Sequence, residues 1–284
     1  MKGWWSFLAV IEVEDLWFTY PGSTEPTLRG INLRIEEGDL LAIVGENGAG
    51  KTTLAKHFIG LLKPQRGSVK VCGLDVSKAK VSQLARHVGF VFQSPDHQLF
   101  SETVEEEVAF APKNLGYPKE ETASRVERVL KRLGLEGFRG RSPLTLSSGE
   151  RRRVALASIL SYDPRVLILD EPTVGQDAAQ KRELAHIVKN MVEEGRTVVV
   201  ITHDMDFVAD HISRVVVLSR GRVVADGRVE EILVNEELLK ASSLLLPPSV
   251  ELSLALARRG LLPSPRLFRD YSLFAKELVE GVLS

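Results

Sequence analysis

Residues 40–44 form an unbroken apolar run, Leu-Leu-Ala-Ile-Val, and residues 45–52 then read Gly-Glu-Asn-Gly-Ala-Gly-Lys-Thr. A strand buried on both faces reads as such a run, because neither face meets water. The glycines behind it let successive backbone N–H groups turn inward as an anion nest, and a helix predicted over about 52–62 puts a helix N-terminus at the end of the loop. A glycine-rich turn that matched by chance would lack this strand-before, helix-after setting. The chain is thereby constrained to an α/β fold.

Further buried runs occupy 88–92, 166–169, 198–201 and 215–218, separated by helical stretches. They predict a mainly parallel sheet covered by helices. Upstream, residues 11–20 and 33–35 alternate as half-solvated strands do, and Pro21-Gly22 closes the first. Between 94 and 160 the pattern changes: 104–115 and 123–133 have helical spacing with no strand between them, and Val126, Val129, Leu130 and Leu133 mark one apolar face. This predicts a helical insert. From about residue 236 a third piece begins, broken by Pro247-Pro248 and followed by amphipathic segments at 250–259 and 267–282.

With 44% hydrophobic and 26% charged residues in 284, the composition is that of an ordinary globular chain. A formal net charge of -1 gives no global attraction to nucleic acid or acidic lipid; Arg151, Arg152 and Arg153 form the densest basic patch. The single cysteine, Cys72, is expected at a buried strand end, and it offers neither a disulfide nor metal-ligand spacing, as suits a reducing compartment. No run approaches the ~18 apolar residues of a membrane span. The apolar stretch 4–11 stops at Glu12 without a cleavage-site pattern, so it does not read as a signal peptide, and residues 1–10 are open to being an upstream start.

The loop chemistry calls for Lys51 to reach the β and γ phosphates and for the Thr52 hydroxyl to bind Mg2+. Asp170 and Glu171 end a second buried run, where side chains emerge at the carboxyl edge of an α/β sheet. There Asp170 is placed to hold Mg2+ and Glu171 to polarise an attacking water. Ser147 has two compatible readings. With Glu150 it makes an S-x-x-E capping box that starts a helix over 151–160. A capped start carrying Gly149 also exposes free N–H groups, able to meet a γ phosphate that another chain presents.

The loop, the run ending in Asp170-Glu171, and Leu146-Ser147-Ser148-Gly149-Glu150 together resemble the nucleotide-binding subunits of ATP-binding cassette (ABC) transporters. The resemblance covers residues 11 to about 235. It implies a P-loop NTPase (RecA-like) core with an N-terminal antiparallel β region, an ABC ATPase domain over 1–235 with its helical insert at about 94–160, and a helical extension over 236–284. It also implies that Gly45, Glu46, Asn47, Gly48, Ala49, Gly50, Lys51, Thr52 and Thr53 cradle ATP while Tyr20 stacks on adenine; the plain reading of Tyr20 is a strand-end core aromatic. Gln93 matches the glutamine that senses Mg2+ and water and links core to insert, His203 the histidine that holds the γ phosphate, and Asp177 the aspartate that contacts the opposite subunit. Ser147, Ser148, Gly149 and Glu150 would meet the partner's ATP. The catalytic set is then Glu171, His203 and Gln93, and the Mg2+ set Thr52, Gln93 and Asp170. Ser148 and Glu150 depart from the commoner glycine and glutamine, and Val174-Gly175-Gln176 departs from the usual small residues before Asp177.

Residues 93–116 and the tail 246–260 are similar to the ATPases of energy-coupling factor (ECF) transporters, which import vitamins or cobalt and nickel ions. That resemblance implies a second ABC ATPase, a membrane scaffold subunit (the ECF T component) and a substrate-binding membrane subunit as partners, with no direct nucleic-acid contact. It implies a peripheral location at the cytoplasmic face of the cell membrane and a pairing role for the extension. Residues 93–110 are expected to line a groove for scaffold arginines, with Leu99, Phe100 and Phe110 as apolar contacts and Glu105, Glu106 and Glu107 as charge; the alternative is that these glutamates only start a helix. Conventional ABC transporters are the nearer rival reading. Nucleic-acid clamps of the DNA-repair type insert a long coiled coil, whereas only 118 residues separate Lys51 from Asp170, and translation factors of this class usually carry two cassettes per chain.

Overall fold

The computed structural model describes residues 9–94 and 98–283. The apolar residues before 9 and the triplet Pro95-Asp96-His97 lie outside the described residues. In chain order the strands are β1 (Ala9–Phe18), β2 (Leu28–Glu36), β3 (Leu40–Val44), β4 (Arg66–Val71), β5 (Leu74–Asp75), β6 (Val88–Val91), β7 (Val166–Asp170), β8 (Thr197–Ile201), β9 (Arg214–Ser219) and β10 (Arg222–Arg228). The helices are α1 (Lys51–Phe58), α2 (Val81–Leu84), α3 (Val104–Leu115), α4 (Lys119–Arg132), α5 (Ser148–Leu160), α6 (Ala178–Glu193), α7 (Met205–His211), α8 (Val229–Ile232), α9 (Glu236–Ala241), α10 (Pro248–Arg258) and α11 (Tyr271–Leu283).

One sheet has the order β2-β1-β4-β5 and is antiparallel throughout. The other has the order β10-β9-β3-β8-β7-β6; it is parallel except where β10 turns back on β9. Successive side chains of its strands point to opposite faces, and each face has its own core. Leu41, Ile43, Val199, Ile201, Val216 and Leu218 join α1 and the antiparallel sheet on one side. Ala42, Val44, Leu167, Leu169, Val198 and Val200 face the insert and α6 on the other. Each fully buried Val, Leu or Ile is worth roughly 1.5–3 kcal/mol, so the two-sided runs are the main hydrophobic contribution of the sheet.

The insert is helical as expected. Val126, Val129 and Leu130 of α4, with Leu133 just beyond it, are buried in the cluster that also holds Val154 and Leu156 of α5. Val250 and Leu254 of α10 join that same cluster, and Arg269 donates from Nε to the Ala209 carbonyl and from Nη2 to the Ile212 carbonyl, both at 2.9 Å, at the carboxyl end of α7.

Several boundaries differ from the sequence expectation. Helix α1 stops at Phe58 rather than near Leu62, where Gly60 takes a left-handed φ of 73° and donates its N–H to the His57 carbonyl. Helix α11 starts at Tyr271 rather than 267, because Asp270 caps the N–H groups of Ser272 and Leu273. Strands β4, β5 and β10 give no continuous apolar run: β4 is exposed over its first residues although it lies inside its sheet, β5 has two residues, and β10 is an edge strand of alternating exposure. Cys72 is half-buried just past β4 with a φ of 48°, and burial pushes its thiol pKa up.

Candidate active site

The parallel strands end on one edge, and that edge gathers the residues with chemistry. The loop after β3 is held by crowding: a Cβ on Gly45 would lie 2.1 Å from the Leu218 carbonyl, and one on Gly50 would lie 2.8 Å from Leu28 Cδ2. Both glycines also have positive φ, 156° and 104°, so no other residue fits either place without strain. Inside the loop the Lys51 ammonium donates to the Gly45 carbonyl at 2.7 Å and to the Glu46 carbonyl at 3.0 Å. Burial lowers the Lys51 pKa, and the nearby Glu171, Asp170 and Glu46 charges oppose that shift. Asn47 and Gly48 form the exposed tip of the loop, while Ala49 is buried beneath it and accepts from the N–H of Gly221.

Thr52 donates its hydroxyl to Asp170 Oδ2 at 3.0 Å, which joins the first turn of α1 to the end of β7. Burial raises the Asp170 pKa and the Thr52 hydrogen bond pulls it back in part. Glu171 is nine-tenths buried and sits at a φ of 50°, a left-handed conformation that costs a non-glycine residue of order 1–3 kcal/mol. It is fixed there by its N–H bond to the Ile201 carbonyl at 2.8 Å and by its Oε2, which lies 2.9 Å from His203 Nδ1. Thr52, Asp170, Glu171 and His203 therefore come together as one constellation.

Tyr20 lies beyond β1, 36% exposed, with its hydroxyl 3.2 Å from Thr53 Oγ1 and its ring edge-on to Phe18. It is not a buried core aromatic. Thr53 itself is buried. Gln93 is exposed two residues beyond β6 rather than at the strand's end. Sequence reasoning missed Gln98, which accepts from the Phe92 N–H at 3.1 Å and donates to the Phe90 carbonyl at 3.2 Å, holding the chain after β6. Nothing in the local spacing signals that pairing.

Ser147 is the N-cap of α5. Its Oγ accepts from the Glu150 N–H, and Glu150 Oε2 accepts from the Ser147 N–H at 2.8 Å and from its hydroxyl at 2.7 Å. The Ser147 hydroxyl and then its N–H hold the Glu150 carboxyl below its ordinary pKa. Among the described residues, the N–H groups of Ser148 and Gly149 have no hydrogen-bond partner, so the capped end of α5 is open to an anion. Asp177 is the N-cap of α6, accepting from Ala179 and Gln180, with Gln180 completing a capping box. The D-x-x-Q spacing could have announced that cap.

The acidic run needs correction. Glu105 and Glu106 are exposed, but Glu107 is 3% exposed, and its Oε2 accepts the N–H groups of Phe100 at 2.9 Å and Ser101 at 2.8 Å. It ties a loop instead of presenting charge. Leu99 is likewise buried in the core; Phe100 and Phe110 are exposed and pack edge-on with centroids 4.7 Å apart.

The ABC transporter family profile matches residues 28–174. The chain is 43% identical over 245 residues to the energy-coupling factor transporter ATP-binding protein EcfA of Methanothermobacter thermautotrophicus, covering 86% of the chain and 78% of that protein. It spans between 43% and 91% of the length of the first relatives it matches. Among solved structures it is similar to cbiO1 from Clostridium perfringens, described as part of the ABC transporter complex cbiONQ, with a TM-score of 0.74, 36% identity, and 89% of this chain and 97% of that one covered. A dimeric post-hydrolysis state of the ATP-binding cassette MJ0796 with ADP and Pi matches at a TM-score of 0.70 and 28% identity, over 77% of this chain and 98% of that one.

Proposed function

The chain belongs to the ABC transporter family of ATPases, and on that premise we propose that it is the ATP-hydrolysing subunit of an energy-coupling factor importer for a vitamin or for cobalt or nickel ions. One observation carries the catalytic part. A phosphate loop, a hydroxyl-bound aspartate and a buried glutamate held by a histidine meet at one sheet edge, while the capped helix that matches the family signature is open to solvent.

In this reading ATP lies along residues 45–53 with adenine on Tyr20. Lys51 exchanges the Gly45 and Glu46 carbonyls for the β and γ phosphates, which are stronger partners for an ammonium. The residues fit Mg2+: a hydroxyl and a buried carboxylate 3.0 Å apart are hard oxygen donors, and Mg2+ takes few protein ligands beside phosphate oxygens and water. Thr52 and Asp170, joined by Gln93 from beyond the end of β6, would hold it, and the bound ion would neutralise charge developing on the phosphate oxygens. Glu171 takes the proton from water as that water attacks the γ phosphorus and the bond to ADP breaks. His203 orients Glu171 through Nδ1 and contacts the γ phosphate.

A single chain leaves the open end of α5 without an anion. Ser147, Ser148, Gly149 and Glu150 meet the partner's ATP, Asp177 lies at the shared interface, and two ATPases close around two nucleotides; the ADP- and Pi-bound dimer of MJ0796 supports this arrangement. Among the described residues no helix is long and apolar enough to cross a membrane. The proposed membrane attachment is through the scaffold subunit, at the cytoplasmic face, with the exposed Phe100 and Phe110 pair and Glu105 and Glu106 as the docking surface and residues 236–284 helping the ATPases pair.

Glu171→Gln tests the core of this reading. Turnover should fall about 10²- to 10⁴-fold, the usual share of a general base, and ATP with Mg2+ should turn the variant into a dimer in analytical ultracentrifugation while ADP does not. Adding Ser147→Arg should abolish that dimer and leave single-chain nucleotide affinity intact. Near-normal hydrolysis removes Glu171 as the base, and a monomer at all concentrations removes the sandwich.

A further inference from the structure

The first turns of α5 and α6, capped by Ser147 and Asp177, line the two sides of one seam. A groove of about 240 Å3, open to solvent, lies along it, floored by Leu156, Leu184 and Ile187. At its mouth Gly149 has no side chain, and the Gln180 amide closes over it; a Cβ there would stand 3.0 Å from Gln180 Nε2. Arg153 and Glu183 face each other across the seam at 3.7 Å, a long, partly exposed pair that contributes little. The short, directed connection is made by Arg152, whose Nη2 donates to the Val174 carbonyl at 2.9 Å.

Val174 is no ordinary anchor. Its N–H bonds back to the Glu171 carbonyl at 3.4 Å, and the turn continues through Gln176, whose N–H reaches the Thr173 carbonyl at 3.1 Å. The buried Thr173 hydroxyl lies 3.4 Å from that of Thr202, and Thr202 accepts from the N–H of Asp204, so both residues flanking His203 are held in the same network. A path of bonded groups thus runs from the second turn of the signature helix to Glu171 and His203.

We propose that Arg152 is a positioning residue that couples the two composite ATP sites of the dimer, by fixing the signature helix to the turn that follows Glu171 in its own chain. The inference rests on the sandwich reading above. In that dimer Glu171 serves the chain's own nucleotide while Ser147 serves the partner's. A shift of the turn when one γ phosphate arrives is then delivered, through the Arg152 bond, to the helix facing the other. Because an open groove rather than a packed interface lies beneath, removing the bond loosens the signature helix from that turn.

The test compares wild type, Arg152→Met and Arg152→Lys as full chains. Met keeps the apolar stem and deletes the donors; Lys restores one. Steady-state ATP hydrolysis against ATP concentration should give the wild type a Hill coefficient above 1, towards the ceiling of about 2 for two sites. Arg152→Met should fall to about 1 with unchanged affinity of the monomer for a fluorescent ATP analogue, and Arg152→Lys should recover part of the difference. A purely structural role would lower the melting temperature and leave the coefficient alone. If Arg152→Met does not fold, Arg152→Gln, too short to reach the carbonyl, replaces it. A wild-type coefficient of 1, or an unchanged coefficient in the donor-deleted variant, overturns the proposal. Each measurement is paired with the Glu171→Gln background: a dimer that forms with ATP while cooperativity ignores Arg152 refutes the coupling alone, and absence of the dimer refutes the sandwich beneath it.

Discussion

Glu107→Ala should destabilise the loop around Phe100 far more than either neighbouring glutamate change. In the folded chain a single oxygen, Oε2, accepts the N–H groups of Phe100 at 2.9 Å and Ser101 at 2.8 Å. Hydrogen bonds to an ionised acceptor contribute ~1.5–3 kcal/mol each, and since these are only part-buried the lower end applies, giving about 3 kcal/mol for the pair. Glu107→Gln can place its amide oxygen where Oε2 stands and keep both bonds as neutral ones, so it should lose about half as much. At 1.4 kcal/mol per tenfold, the alanine change should speed amide exchange at Phe100 and Ser101 by roughly 10²-fold, and the glutamine change by about tenfold. Hydrogen exchange read by NMR or mass spectrometry resolves both steps. Protection within threefold of wild type in Glu107→Ala would show that the carboxylate does not hold the loop.

Other outcomes follow from the same geometry. Lys51→Ala should weaken ATP binding about 10- to 100-fold in a fluorescence titration, the loss of a charge-assisted contact; affinity within twofold of wild type contradicts the phosphate role. Because burial raises the Asp170 pKa above the ordinary 3.8, its ionised form opposes folding, and that penalty is present above the folded pKa and vanishes as pH falls below 3.8. Asp170→Asn should therefore raise the melting temperature of the nucleotide-free protein at neutral pH, with a gain that shrinks on acidification, while ATP hydrolysis is lost; a lowered melting temperature at pH 7 refutes the argument. Glu105→Lys and Glu106→Lys should leave the isolated chain's hydrolysis nearly unchanged, and at least one should weaken scaffold binding and uptake in the reconstituted complex. Normal transport by both reduces the acidic run to a helix start.

The parallel strands were legible because burial on both faces writes a continuous apolar run, as in residues 40–44 and 166–169. The partly exposed strand β4 and the alternating edge strand β10 write no such signal; only the strand end at Cys72 was anticipated there. Ser147 and Glu150 announced their cap because the partners are three residues apart, and local spacing is what a sequence shows. The Glu107 loop tie was obscured by its charged neighbours: three consecutive glutamates look alike, and only the turn of α3 decides that the third faces inward. Arg152 and Val174 are 22 positions apart, and their contact exists only because α5 lies against the turn that follows β7.

The crowding at Gly45 has a bearing on how the chain is made. Strand β3 is flanked in the sheet by β8 and β9, which begin at Thr197 and Arg214, and the loop after β3 is shaped by the Leu218 carbonyl and tied at Ala49 to Gly221. A nascent chain that has emerged only as far as the residues matched by the family profile, ending at 174, holds the whole glycine loop and both acidic residues but has nothing for β3 to pair with on either side. The loop therefore reaches its finished shape only after β3 has gained both neighbours. The complete geometry of the nucleotide loop is thus a late product of synthesis, reached when the strand carrying Leu218 joins the sheet.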